Sequence, residues 1–497
     1  MLLLRNNKLK VFLNILNTAA FLFIIYLIYK NILSFFYQTE YRHLHIDERQ
    51  LIDSILNVFQ LQDEYGRYKN LDSGILKSFL IIITELIIGG NLDYGRFYSN
   101  LFVFFSGPFY FINFKYLIIS ERILQLTIYI LTLLYISKFF IEKNFKYIFI
   151  LFGMSAPGSY YLIQNPKPDP LVILLFFIGL KKIFFDENYR TSFIFFGMSI
   201  GIKIVSIIPM FTLFLVLRFL NQKFKTFREL SYSVFYFLIG LIIAQPALLI
   251  PSRKIYSRIF SAIKGGSVYD QDKFFTLNNA NVNSWLQTLS KEFSLSEVVF
   301  VLVFLITFSL FLKSLNESEY LSTFYLFTFL FFTVFIIFNV ERTWSYYLAF
   351  PSIFLFVYLF KDNDYVTFKK LALLFPILVI VINGLAYHNE KAVDSYFIIS
   401  QSKEQTFQET VAFLDSKYSL ENFKYNFVYW DPDLYFPRYR INYKENFQVL
   451  ENWELDAGIN PLFSKVDFIV SLQKINYTSK DIKELNIGKA NIYYLNK

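Results

Sequence analysis

Apolar runs long enough to cross a bilayer recur along this chain from residue 11 to residue 388. Each such run calls for a helix of about 20 residues, because a helix rises about 1.5 Å per residue and the hydrocarbon is about 30 Å thick. A soluble chain of 497 residues would divide into two or three domains with charged surfaces. Here 55% of the residues are hydrophobic and 18% charged, and the mean hydropathy is +0.40. The sequence therefore predicts a mainly α, polytopic helical membrane protein.

The first run, from Val11 to Tyr29, follows Arg5, Lys8 and Lys10 and has no small-residue cleavage site after it, which predicts a retained first helix rather than a removed signal. Further spans are expected at residues 120–140, 145–164, 169–185, 191–205, 206–220, 230–250, 297–313, 320–340, 345–360 and 371–388, about eleven in all. Lys and Arg concentrate in short cytoplasmic loops. With the N-terminus inside, Lys138, Lys143 and Lys146, then Lys181, Lys182 and Arg190, then Arg218, Lys223, Lys225 and Arg228, then Lys361, Lys369 and Lys370 all fall in such links. A first loop at about 31–119, a second at about 251–296 and everything after about 389 then lie outside the cytoplasm. Residues 1–388 are expected to form a membrane-embedded domain of a bacterial inner (cell) membrane, multi-pass. Residues 389–497, with a helix-like stretch at 407–418 and the runs FVYW, KVDFIVSL and NIYYL between turn residues, are expected to form a small extracytoplasmic α/β domain.

The first loop has its own pattern. Leu51, Ile52, Ile55, Leu56 and Phe59 alternate at helical spacing with Asp53, Ser54, Asn57 and Gln60, which predicts an amphipathic helix along the membrane surface. Residues 78–90 and 97–112 are apolar but short, broken by Glu85, glycines and Pro108, and read as interfacial or re-entrant helices.

Composition narrows the chemistry. With no Cys there is no disulfide, thiolate site or cysteine nucleophile, and three His leave little for a zinc cage. The excess of 48 Lys and Arg over 39 Asp and Glu gives a net charge of +9, which in a membrane protein suits anionic lipid rather than nucleic acid. The 63 Phe and 37 Tyr match the codon bias of an AT-rich genome and mark no binding platform. Neither G-x-x-x-x-G-K-[ST] nor a strand followed by G-x-G-x-x-G occurs, which argues against bound nucleotide.

Charged residues near span ends are the useful signal in such a chain. On the extracytoplasmic side they are Asp47 and Glu48 in HLHIDERQ, Asp93 and Arg96 in NLDYGRFYSN, Lys167 and Asp169 in NPKPDP, Lys203 in GIKIVS, and Glu341 with Arg342 in NVERTWSYY. Asp47 stands three residues before Gln50, so it is either the N-cap of a D-x-x-Q capping box, contributing about 1 kcal/mol, or a base within reach of a hydroxyl proton; the two are compatible. Asp169 between Pro168 and Pro170 is a turn residue or an acid at a site. Lys203 in an apolar stretch, where a charge costs about 3 kcal/mol, either snorkels or meets an anion. Glu341 and Arg342 read as an ion pair capping two spans, and Trp344, Tyr346 and Tyr347 as an interfacial belt. His43 and His45 are weak metal candidates without a third partner.

Taken in order, these segments resemble the GT-C superfamily of integral-membrane glycosyltransferases, in particular the protein O-mannosyltransferase and aminoarabinose transferase branch. HIDERQLID is similar to the family's first exported loop with its Asp-Glu pair, and ISERILQLTIYILTLLYISKFF to its second span with a leading Arg. NPKPDPLVILLFFIGL is similar to the (R/K)-P-D segment, GIKIVSIIP to the glycine-lysine segment, and WSYYLAFPSIFLF to the tyrosine-rich late span; the order covers residues 1–360. The resemblance implies inverting transfer of a sugar from a polyprenyl-phosphate donor to a cell-envelope acceptor, whether lipid, glycan or protein, although the chain lacks an expanded protein-binding module. It implies Asp47 as the general base with Glu48 beside it, Asp169 as a second acid, and Lys203, Arg122 and Arg342 at the donor phosphate. Asp93, Tyr94, Arg96, Lys167 and Tyr346 would line the acceptor or sugar. The resemblance fixes no cofactor; metal dependence differs among the branches, which leaves room for a divalent cation. The competing expectation is a transporter or flippase, or a polymerase or ligase, of lipid-linked glycans. Nothing in the sequence speaks to oligomeric state.

Overall fold

A computed structural model describes residues 2–37, 95–219 apart from 157, 227–251, 297–339 and 345–361. It also describes shorter stretches within 51–58, 82–87, 284–288 and 374–386, and residues 409, 427–430, 447–449, 466–471, 482–487 and 490–495. The chain divides into two compact units, residues 1–37 with 86–390 and residues 38–85 with 391–497.

The first unit is helical throughout its described residues. Four helices among these residues are long and apolar enough to cross a membrane, at Leu13–Phe36, Lys115–Phe140, Val298–Asn316 and Tyr320–Phe338, so the chain is a membrane protein. They belong to α1 (Leu2–Tyr37), α3 (Phe114–Phe140), α10 (Glu297–Asn316) and α11 (Tyr320–Asn339). Between α1 and α3, α2 (Arg96–Phe105) has 10 residues, about 15 Å of helix, and stops at Ser106 before a 3-10 turn with Pro108; neither piece is long enough to cross. The expected span at 145–164 is broken into α4 (Lys146–Ser155) and α5 (Ser159–Gln164). Ala156 takes ψ 153°, the extended backbone forced on a residue before proline, and Gly158 takes φ 78°, which glycine adopts without a steric penalty.

The helices that follow build a tight cluster. Helix α6 (Asp169–Phe184) and α7 (Tyr189–Ile202) form an antiparallel hairpin whose turn places Glu187 at φ 51°. Lys203 then breaks the helical path with extended backbone at φ −150° and ψ 118°, a 3-10 turn follows at Ile204–Ser206, and α8 (Ile207–Phe219) resumes. Helix α9 (Phe227–Ala244) lies parallel to α7 at backbone contact. A Cβ on Gly197 would stand 2.0 Å from the Phe237 carbonyl oxygen, and one on Gly240 2.0 Å from that of Ile194. Every residue of α12 (Ala349–Phe360) is buried, as expected of a helix apolar on all sides. Its Phe350 and Phe354 pack on Phe176 of α6, with ring centroids 6.1 and 5.9 Å apart.

Two polar clamps hold α1 against its neighbours. The Asn17 carboxamide donates to the Asn144 carbonyl at 2.8 Å and accepts from the amides of Tyr147 and Ile148 at 3.2 and 3.3 Å, serving the open N-terminus of α4. Farther along, Asn31 and Ser34 bond Gln164 of α5.

In the second unit, Leu51, Ile52 and Ile55 are buried in helical backbone as the sequence pattern predicts. Ser54, expected on the polar face, is buried as well. Positions 51, 54, 55 and 58 follow the i, i+3, i+4, i+7 spacing of one helix face, so Ser54 shares its face with Leu51, Ile55 and Val58. The C-terminal sheet has the order β2-β1-β3-β5-β4, with β1 at Phe427–Trp430, β2 at Phe447–Val449, β3 at Val466–Ser471, β4 at Ile482–Ile487 and β5 at Ala490–Leu495. Strand β1 pairs parallel with β2 and β3, whereas β5 runs antiparallel to β3 and β4. Ile469, Val470, Ile492 and Tyr493 are buried along the β3–β5 pair. The three apolar runs expected as strands are β1, β3 and β5; β2 and the charged β4 had no comparable signal. Of the helix expected at 407–418, only Glu409 lies within the described residues.

Candidate functional site

Lys203 and Asp169, treated separately in the sequence, meet in the structure. The ammonium Nζ lies 2.8 Å from each carboxylate oxygen, with side-chain exposures of 15% for Lys203 and 5% for Asp169. Asp169 is the first residue of α6 and Lys203 follows the last residue of α7. A hairpin of two helices of similar length returns the chain to its starting end, so its geometry forces the encounter. The first turn of α6 also favours an anion. Lys203 Nζ lies 5.3 Å from the centroid of the Tyr347 ring, within reach of its π face. Of the two expectations for Lys203, snorkelling or an anion, the structure shows an anion, and it is the protein's own Asp169.

Further polar residues gather at this end of the cluster. Gly95 passes beside the ends of α7 and α9, where its amide donates to the Ile202 carbonyl at 3.1 Å. A Cβ on Gly95 would meet backbone atoms of Gly201, Ile202 and Ala244 at 2.5 to 2.9 Å. Next to it, the Arg96 amide donates to Gln245 Oε1 at 3.1 Å, and Arg96 Nε donates to the Leu86 carbonyl at 3.4 Å. On α3, Gln125 Nε2 donates to the carbonyls of Leu162 and Lys167 at 2.9 and 3.0 Å, which ties the loop before α6 to α3. Glu121 and Arg122 stand one turn earlier on α3. Arg96, Glu121, Arg122, Lys167 and Asp169 are all buried.

The other ends of α3 and α6 are different in kind. There Lys138 is exposed, and Lys181 and Lys182 both bond Asp186, at 2.6 and 2.8 Å. The bond from Lys181, followed by that from Lys182, holds the Asp186 carboxyl below its usual range. One end of the helices therefore carries solvated basic residues, whereas the other buries charges of both signs.

No family model and no curated protein matches this chain. The chemistry rests on the residues themselves. Of the candidates from the sequence, the structure brings Asp169 and Lys203 into contact and places Arg96, Arg122 and Lys167 at the same end of the helices. Asp47, Glu48, Asp93, Tyr94, Arg342, His43 and His45 lie outside the described residues, as does the side chain of Tyr346. Among the described residues no group of three His, Asp or Glu side chains is arranged to hold a metal ion. The sequence reading missed Gln125, Gln245, Glu121 and Asn165. An amide or carboxylate within an apolar run was the available signal, since such groups in a bundle are placed to satisfy one another or a ligand.

Proposed function

We propose that the chain is an inverting glycosyltransferase that moves a sugar from a polyprenyl-phosphate donor to a cell-envelope acceptor, at the extracytoplasmic face of a GT-C-like scaffold of about eleven spans. One observation carries the reading. Among the described residues, four cations, Arg96, Arg122, Lys167 and Lys203, and two carboxylates, Glu121 and Asp169, gather at one end of apolar helices, and all but Lys203 are buried. Fixed cations at this end suit a lipid phosphate whose isoprenoid tail stays in the bilayer, and stabilise the charge that grows on the leaving oxygen. In this reading Asp47 takes the acceptor proton with Glu48 beside it, Asp169 holds Lys203 in place, and residues 389–497 form an extracytoplasmic domain.

The helix break at Lys203 also favours a second reading, a transporter or flippase of lipid-linked glycans, because transporters build their sites on discontinuous helices. Sugar transfer in nanodiscs, with a panel of polyprenyl-phosphate sugars and cell-envelope extract, separates the two. The expected result is transfer by wild type and a loss of at least about 100-fold in Asp47→Asn at matched folded protein, the usual weight of a general base. Donor moved across vesicles without being consumed would select the transporter instead.

A further inference from the structure

Asn165 ends α5 and begins the loop Asn165-Pro166-Lys167-Pro168 that leads into Asp169. Asn165 is 4% exposed, and its amide nitrogen Nδ2 is buried with no hydrogen-bond partner among the described residues. A buried donor without a partner is destabilising. Nearby amides show the usual solution. Gln125 Nε2 serves two carbonyls, Gln164 bonds Asn31, and Gln245 accepts from Arg96.

Nor can the loop readily turn Asn165 toward a partner. Its backbone amide donates to the Tyr161 carbonyl at 3.1 Å, Gln125 grips the carbonyls of Leu162 and Lys167 on either side, and two prolines in the sequence restrict the backbone. Asp169, at the loop's far end, is locked to Lys203. A buried, unsatisfied donor on a restrained loop beside a cluster of cations is the arrangement of a group preorganised for a ligand.

We propose that Asn165 is a sugar-positioning residue, whose Nδ2 donates to a hydroxyl of the sugar on the lipid donor. The proposal rests on the glycosyltransferase reading. A hydroxyl both accepts and donates, as a carboxamide does, whereas a phosphate is better matched by the charged Lys and Arg side chains at the same end.

The test uses the full chain in nanodiscs, with Asn165→Leu as a near-isosteric variant and Asn165→Ala as a smaller one. Three quantities are measured: the unfolding temperature without lipid, the affinity for sugar-free polyprenyl phosphate, and the affinity for a panel of polyprenyl-phosphate sugars. An unchanged or higher unfolding temperature for Asn165→Leu is expected, because no internal hydrogen bond is lost. Affinity for the sugar-free lipid should be kept by both variants, and affinity for the sugar-bearing lipid that wild type binds should fall about tenfold, the loss of one hydrogen bond. A marked drop in unfolding temperature of both variants would overturn the proposal by showing a structural partner. Equal losses for both lipids would move the amide to the phosphate and overturn the sugar assignment. Unchanged binding of both lipids would overturn the proposal while leaving the glycosyltransferase reading intact. If wild type binds the sugar-free lipid but none of the sugars, the glycosyltransferase reading fails and takes Asn165 with it.

Discussion

At the scale of single residues, the informative case is Lys203. Its apolar sequence setting left two readings open, snorkelling or a nearby anion; that it meets Asp169, 34 positions earlier, is a tertiary fact that no local pattern carries. Removing one member of a buried ion pair leaves the other charge uncompensated, which costs about 3–5 kcal/mol. Lys203→Met alone is therefore expected to destabilise by an amount near the lower end of that range, because its ammonium keeps some solvent. Lys203→Met combined with Asp169→Leu should be much less destabilised than the sum of the two singles, since replacing both partners removes the stranded charge. A double-mutant cycle of unfolding in detergent measures this coupling. Additive losses would show that the two side chains act independently and would remove the pair from the description of the site. Asp47 stands at the other extreme, because its role comes from the ordered resemblance alone and its position lies outside the described residues.

At the scale of elements, helix existence was legible and helix continuity was not. Apolar length marks where a span must be. It does not show that the backbone at Ala156 and Gly158 cuts one expected span in two, because such a break depends on dihedrals that neighbouring helices hold in place; the break near Lys203 falls within a few residues of the expected boundary between 205 and 206. The contact between α7 and α9 had a readable trace in Gly197-x-x-x-Gly201, the small-residue spacing that lets membrane helices approach closely. This contact makes a differential prediction. At Gly197 a methyl group meets the backbone of Phe237, which can yield only if the helices separate, so Gly197→Ala should cost at least the upper end of about 1–3 kcal/mol. At Gly179 the methyl group meets only the ring of Phe196, 2.5 Å away, and a ring can rotate. Gly179→Ala should fall at the lower end. The yield of monodisperse protein and the unfolding temperature compare the two, and equal effects would mean that α7 and α9 are not in backbone contact.

At the scale of the whole molecule, composition alone required a helical membrane protein, and alternation of short apolar runs with turn residues marked a separate C-terminal sheet. Strand order was beyond the sequence, because the parallel pairing of β1 with β2 and β3 joins segments that are distant along the chain. Sidedness is where sequence and structure combine. Basic residues such as Lys138, Lys143, Lys181 and Lys182 gather at one end of α3 and α6, and a site that buries charges of both signs lies at the other. If these basic loops follow the rule that short basic loops stay in the cytoplasm, the proposed site lies on the opposite face, and labelling tests that orientation. The chain contains no Cys, so single substitutions report sidedness without background. In spheroplasts of an expressing bacterium, Lys143→Cys should resist a membrane-impermeant maleimide until the membrane is permeabilised, whereas Glu484→Cys in β4 should be labelled at once. Glu484 is partly accessible in its strand, so failure of its labelling would reflect the barrier rather than burial. If the pattern reverses, the buried cations face the cytoplasm, and a donor assembled on that side, rather than an exported one, becomes the ligand they serve.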